Sequence, residues 1–310
     1  MMSEASWPFV YGGNPCVKVL PVAVVVEAVR KDLRQMRKNG LSKRVILVVA
    51  VIVAVLGVLA TILWPRPIAR PDYVPRIAEL RSPEFFVYPP KGGDRRGTIV
   101  FFGNDVGFWQ PHQQLADFLS SQGYAVVGFD LRKLLKSIPD APEAQRDLVI
   151  GGEISKVMSE SLAEFHGEKL PLFLTGHSLG AEVAIWTASH VRSPAITGVV
   201  AMAPGGRGHL HITAADFLSS ALPSGPESFS MASLVTSLPQ GLRIALVRGA
   251  SDGYRGADPG IVAAGSGRVR EFSIPFAGHS LKKILIARYV VRSALEWVGA
   301  RVRGAPPASN

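Results

Sequence analysis

The sequence predicts an α/β fold: a mostly parallel central sheet with helices on both faces, preceded by one transmembrane helix. Three observations carry this reading. From residue 84 onward, continuous apolar runs alternate with stretches of helical spacing, the pattern of strands buried on both faces. Residues 45–64 read VILVVAVIVAVLGVLATILW and hold no charge. Gly176-His177-Ser178-Leu179-Gly180 lies between a strand-like and a helix-like run, as a tight strand-to-helix turn does.

The chain has 310 residues. Tail and membrane segment remove about 60, leaving enough for one α/β domain with a large core. The formal net charge is +10, and residues 1–64 carry eight Lys/Arg against three Asp/Glu. No long basic stripe with interleaved aromatics is present, so nucleic acid is not an expected partner. Cys16 is the only cysteine, which excludes an intrachain disulfide. Nothing in the sequence sets an oligomeric state.

At 1.5 Å per residue, helical residues 45–64 span about 30 Å, enough to cross a bilayer's hydrocarbon core. Trp64 suits an interface, and Pro65 and Pro67 end the helix. Arg30, Lys31, Arg34, Arg37, Lys38, Lys43 and Arg44 precede the segment, while only Arg66 and Arg70 follow closely. Positive charge stays inside, so residues 1–44 are expected in the cytoplasm and the rest in the periplasm or outside the cell. The apolar run exceeds that of a cleaved signal peptide, which favours a retained signal anchor. Met36, followed by basic residues, reads as a natural start, making residues 1–35 a mis-assigned start.

Residues 65–83, rich in Pro and charge, read as a linker. The domain is expected over 84–300. Strands are expected at 84–88, 97–102, 124–129, 171–175, 197–202, 242–247 and 268–274. Helices are expected at 113–122, 150–165, 179–191 and 281–298, each with apolar residues on one face. Residues 205–240 break the alternation with Gly205, Gly206, Pro223, Gly225 and Pro226. They read as a lid-like insertion over the carboxyl ends of the strands, where such sheets bind ligands, or as a solvent-facing loop with one helix. Residues 301–310 read as a flexible tail.

Ser178 is the candidate nucleophile. A serine hydroxyl needs a base to take its proton, and the base needs a carboxylate to fix its tautomer. The partners are expected in the order Ser, acid, His. Of the later histidines, His190 lies at the far end of a helix, and His209 and His211 lie in the insertion. His279 lies between the last strand and the last helix and is the expected base. Asp252, directly after the 242–247 strand, is the expected acid; Asp258 is the alternative, because a glycine-rich loop could fold either inward. The oxyanion is expected to meet the backbone N–H of Leu179 and that of Asn104 or Asp105, in the loop after the first buried strand. Asp130 either lines the pocket or caps a turn. His209 and His211 lack an evident third ligand, so no metal is expected, and the chemistry needs no organic cofactor.

These residues in this order resemble the α/β-hydrolase superfamily over about residues 84–300. The resemblance implies a serine hydrolase acting on carboxylic esters through an acyl-enzyme. Residues 101–109, 115–119 and 123–132, Gly180-Ala181-Glu182-Val183 and residues 210–218 are similar to the bacterial VirJ/AcvB-type virulence hydrolases. That narrower likeness implies an exported enzyme and a lipid or aminoacyl-phospholipid ester as substrate. Its serine motif is more often G-Y-S-F-G than the Gly-His-Ser-Leu-Gly found here. Acyl transfer by the same three residues, or a non-catalytic envelope binding module, are the other outcomes the sequence allows.

Overall fold

The computed structural model describes residues 45, 47–55, 71–82, 84–136, 142–165, 169–191, 193–211, 223–224, 228–280 and 284–300. The chain divides into two units, Met1–Pro67 and Ile68–Asn310. In the first, residues 45 and 47–55 are helical. The remainder of the expected membrane segment, the expected start at Met36 and the tail 301–310 lie outside the described residues. Among the described residues no helix is long and apolar enough to cross a membrane.

The second unit is a doubly wound sheet. Its elements run β1 (Phe85–Tyr88), β2 (Gly97–Phe102), α1 (Gln110–Ser121), β3 (Tyr124–Phe129), α2 (Leu131–Lys136), α3 (Glu143–Glu164), β4 (Leu172–His177), α4 (Leu179–His190) and β5 (Ile196–Met202). A two-residue ribbon, β6 (Arg207–Gly208) and β7 (Phe229–Ser230), leads into α5 (Met231–Ser237). Then come β8 (Arg243–Gly249), α6 (Asp258–Ala264), β9 (Val269–Ile274) and α7 (Ile284–Gly299). The seven-stranded sheet has the order β1-β3-β2-β4-β5-β8-β9. Only β1 runs antiparallel to its neighbour.

Alternation within the strands explains their unbroken apolar character. In β2, Val100 and Phe102 enter a core shared with α3 and α4, while Ile99 and Phe101 enter one shared with α1 and α7. Val199 and Ala201 of β5 face the first core, Val200 and Met202 the second. Both faces are buried, so few positions in these strands are polar. The helix α4 is buried over nearly its whole length, with Trp186 among the largest buried side chains.

Three elements depart from expectation. Residues 71–82 do not simply link: Leu80 is buried, Tyr73 and Ile77 pack into the cluster around Phe165, and the Arg76 amide donates to Glu164. The later part of the 205–240 insertion is core: α5 buries Met231, Leu234 and Val235 among the residues around α4. Residues 212–222 and 225–227 lie outside the described residues. The glycine-rich stretch after Asp252 forms a 3₁₀ turn, Gly253–Ala257, that runs into α6.

Candidate active site

The parallel strands β4, β8 and β9 deliver three side chains to the carboxyl edge of the sheet. Ser178 follows β4 and caps α4 with φ 53° and ψ −121°, a conformation that costs a non-glycine residue about 1–3 kcal/mol. Close packing holds it there. A Cβ on Gly176 would lie 1.9 Å from the Gly180 carbonyl oxygen, and one on Gly180 would lie 2.2 Å from that of Gly103. Glycine at both ends of the motif therefore seats the turn directly on the loop that follows β2. The Ser178 amide donates to Met202 at the end of β5 (2.9 Å). Gly249 plays the matching part at β8, where a Cβ would lie 2.2 Å from the Gly278 carbonyl oxygen. The acid and histidine loops meet at that contact.

His279 Nε2 lies 3.0 Å from Ser178 Oγ. His279 Nδ1 lies 3.3 Å from each carboxylate oxygen of Asp252, at the long end of an N–H···O bond. An ionised carboxylate only accepts, so Nδ1 carries the hydrogen and Nε2 is free to accept from the serine hydroxyl. The Asp252 side chain is fully buried, while that of His279 is 36 % exposed. Asp252 also accepts from the Tyr254 amide (3.0 Å) and from Arg248 Nη1 (2.9 Å). Burial alone would raise its pKa. The hydrogen bonds from His279, Tyr254 and Arg248 outweigh burial and hold the carboxyl well below the usual carboxylate range.

Asp258 does not reach the histidine. It takes two bonds from Arg248, at 2.9 Å to Nε and 2.6 Å to Nη2, while Arg248 Nη2 also donates to the Pro204 carbonyl (2.6 Å). Arg248 is wholly buried. The geometry thus favours Asp252 over Asp258 as partner of His279, and gives Asp258 the role of balancing the arginine. No sequence signal marked Arg248, since an arginine at the end of a strand reads as a surface residue.

Leu179 is the first residue of α4, so its amide has no intrahelical acceptor. Across from it, Asn104 and Gly107 form a bridge, with the Gly107 amide donating to the Asn104 carbonyl (2.9 Å). The loop 103–109 is thereby folded into a tight turn, with Asn104 buried and Asp105 partly exposed. Asp130 caps a turn: its Oδ1 accepts from the Arg132 amide (3.1 Å) and its carboxylate pairs with the same guanidinium. Arg132 in turn lies against Gly107, where a Cβ would come within 2.5 Å of it. The His209 and His211 ring centres lie 4.5 Å apart with the rings tilted by 35°, and among the described residues no third ligand joins them. Glu182, one turn beyond Ser178, accepts from the Gly205 amide (2.9 Å) and fixes the start of the insertion beside the turn.

Solved structures share this architecture. A Klebsiella pneumoniae protein assigned to the dienelactone hydrolases matches with a TM-score of 0.51 at 14% identity, covering 69% of this chain and 91% of its own. The fold is that of the α/β-hydrolases. Est1E from Butyrivibrio proteoclasticus matches with a TM-score of 0.49 at 14% identity, over 70% of this chain and 94% of its own. The esterase domain of a Rhodothermus marinus protein gives 0.47 at 16%, over 69% and 90%. No protein-family model matches the chain, and no curated protein matches it. The narrower likeness to VirJ/AcvB-type hydrolases has no support in these comparisons.

Proposed function

We propose that this chain is a membrane-anchored serine hydrolase of carboxylic esters, with its catalytic domain on the far side of the membrane from the cytoplasm. One observation carries the chemistry: Ser178 Oγ sits 3.0 Å from His279 Nε2, on an imidazole whose other nitrogen faces a buried carboxylate. Ser178 attacks the ester carbonyl as His279 takes its proton. The amide of Leu179 and that of Asn104 or Asp105 receive the oxyanion, a contribution of about 10²–10³ in rate per donor. His279 then protonates the leaving alcohol, and an acyl-Ser178 intermediate remains. Water attacks that acyl group by the same steps in reverse, which restores the free serine. Asp252 orients His279 and stabilises the imidazolium without taking its proton.

The membrane part rests on the uncharged run 45–64 and its basic flank. An anchored domain meets esters presented at the bilayer surface, so lipid esters are the expected substrates, aminoacyl-phospholipids among them.

A membrane-impermeant fluorophosphonate tests both parts on vesicles bearing the full chain. Right-side-out vesicles are expected to label, with the label lost in Ser178→Ala and retained in the pellet after alkaline carbonate. Labelling of inverted vesicles alone would reverse the orientation and leave the chemistry standing. Release by carbonate would remove the anchor. A folded wild type unlabelled even in detergent would remove the chemistry.

A further inference from the structure

Two histidines outside the reaction just described are buried beneath it. His177 precedes Ser178 and is 1 % exposed; His112, in the first turn of α1, is 0 % exposed. His112 Nε2 lies 3.0 Å from His177 Nδ1. His177 Nε2 lies 2.9 Å from the carbonyl oxygen of His279. The Trp109 amide faces His112 Nδ1 at 3.3 Å.

The partners fix the protons. A carbonyl only accepts, so His177 Nε2 carries a hydrogen. In a neutral ring Nδ1 is then bare and accepts from His112 Nε2–H. His112 Nδ1 is left bare in turn, facing the Trp109 amide; a backbone hydrogen bond with Gly107, which favours the charged ring, is outweighed by burial and by the His177 ring. Burial supports neutrality in both. It pushes His177 down to about 4, and with the adjacent His177 ring it holds His112 well below the ordinary histidine value. One chain of hydrogen bonds therefore runs from the loop after β2, through two imidazoles, to the main chain of the base.

Core filling does not explain this choice of residue. Phe101 and Phe108 each lie 5.4 Å from the His112 ring, so an apolar side chain there would incur no desolvation cost. The base also needs such a hold. His279 is partly exposed, and residues 275–280 form an irregular loop between β9 and α7.

We propose that His177 and His112 are positioning residues that tie the main chain of His279 to the first turn of α1, so that base, nucleophile and oxyanion loop keep one relative placement. This rests on the reading of Ser178, His279 and Asp252 as the reacting set.

The test uses the full chain and p-nitrophenyl butyrate, with kcat expressed per active site titrated by fluorophosphonate. That normalisation removes any loss of folded protein. His177→Leu is expected to lower kcat about 10–100-fold, as small misplacements of a catalytic group do, with KM within about threefold. His177→Gln is expected to recover part of the loss, because its amide can donate to the His279 carbonyl. The double variant His112→Leu/His177→Leu is expected to be no slower than His177→Leu, since both rings act in one chain. A His177→Leu kcat within about twofold of wild type overturns the proposal alone, and so does His177→Gln no better than His177→Leu. A wild type that neither labels nor turns over overturns the reaction and this proposal together. Independently of turnover, ¹⁵N-histidine spectra are expected to show both rings neutral and protonated at Nε2; His177 protonated at Nδ1 would break the chain.

Discussion

Arg248 shares one guanidinium between two carboxylates, and this division decides what each aspartate does. Asp258 holds Nε and Nη2, while Asp252 takes Nη1 and turns its remaining capacity to His279 and the Tyr254 amide. Removing one charge therefore has different consequences at the two positions. Asp252→Asn is expected to lower kcat about 10³–10⁴-fold, because His279 loses the group that fixes its tautomer. Asp258→Asn leaves that group in place, so kcat per titrated site is expected to stay within about tenfold. Its cost falls on stability, about 1–3 kcal/mol for a weakened buried bond to Arg248. Urea midpoints and titrated kcat values separate the two, and the reverse ordering would make Asp258 the acid. Chain order and strand ends were enough to bring Ser178, Asp252 and His279 together from sequence. They were not enough for Arg248, His112 or His177. Arg248 and His177 adjoin residues that the sequence did single out, but nothing in their own stretches marks them as buried, and His112 is tied to His177 from a distant part of the chain.

The turn at Ser178 shows what an element contributes beyond its residues. Its backbone is strained, and the strain is held by Gly176 against Gly180 and by Gly180 against Gly103. Both Ser178→Ala and Ser178→Gly remove the hydroxyl, but only glycine relieves the positive φ. Ser178→Gly is therefore expected to be about 1 kcal/mol more stable than Ser178→Ala, read from urea midpoints at equal slope. Equal midpoints would mean that the turn relaxes once the oxygen is gone. The strands were legible because burial on both faces leaves mostly apolar runs, interrupted by single polar residues such as Thr175 in β4 and Arg248 in β8. The short elements α2, α5 and α6 were not. Each spans only six or seven residues, too few for a helical period to emerge. The helix α1 begins at Gln110, earlier than its apolar spacing indicates. Its first turn is set by the bond between the Trp109 amide and the His112 ring, which spacing cannot reveal.

For the whole molecule, the same buried rings make stability depend on pH. His177 titrates at about 4 in the folded chain because burial disfavours its charged form, against about 6.5 when unfolded. Between those values the unfolded chain binds more protons, so stability rises with pH across the window and is lost as pH falls through it. At about 1.4 kcal/mol per unit this amounts to about 3 kcal/mol, a large part of the 5–15 kcal/mol typical of a domain. His112, lowered in the same direction by burial and by His177, adds to the loss. Asp252 acts in a lower window. Its folded value is depressed, so its contribution is present above about 3.8 and lost only below that. Acid unfolding is therefore expected in two stages, a histidine stage from about pH 6.5 to 4 and a carboxylate stage beneath it. Urea midpoints of the full chain across this range should fall steadily through the first stage. His177→Leu should flatten that slope, because the leucine has no proton to gain on unfolding. A wild-type midpoint unchanged between pH 7 and 4.5 would mean that water reaches the two rings. The same protonation places hydrogens on both His177 nitrogens, one of them facing the His112 N–H, so the link between the two rings should fail, while the bond to the His279 carbonyl, which favours the charged ring, persists until the chain unfolds.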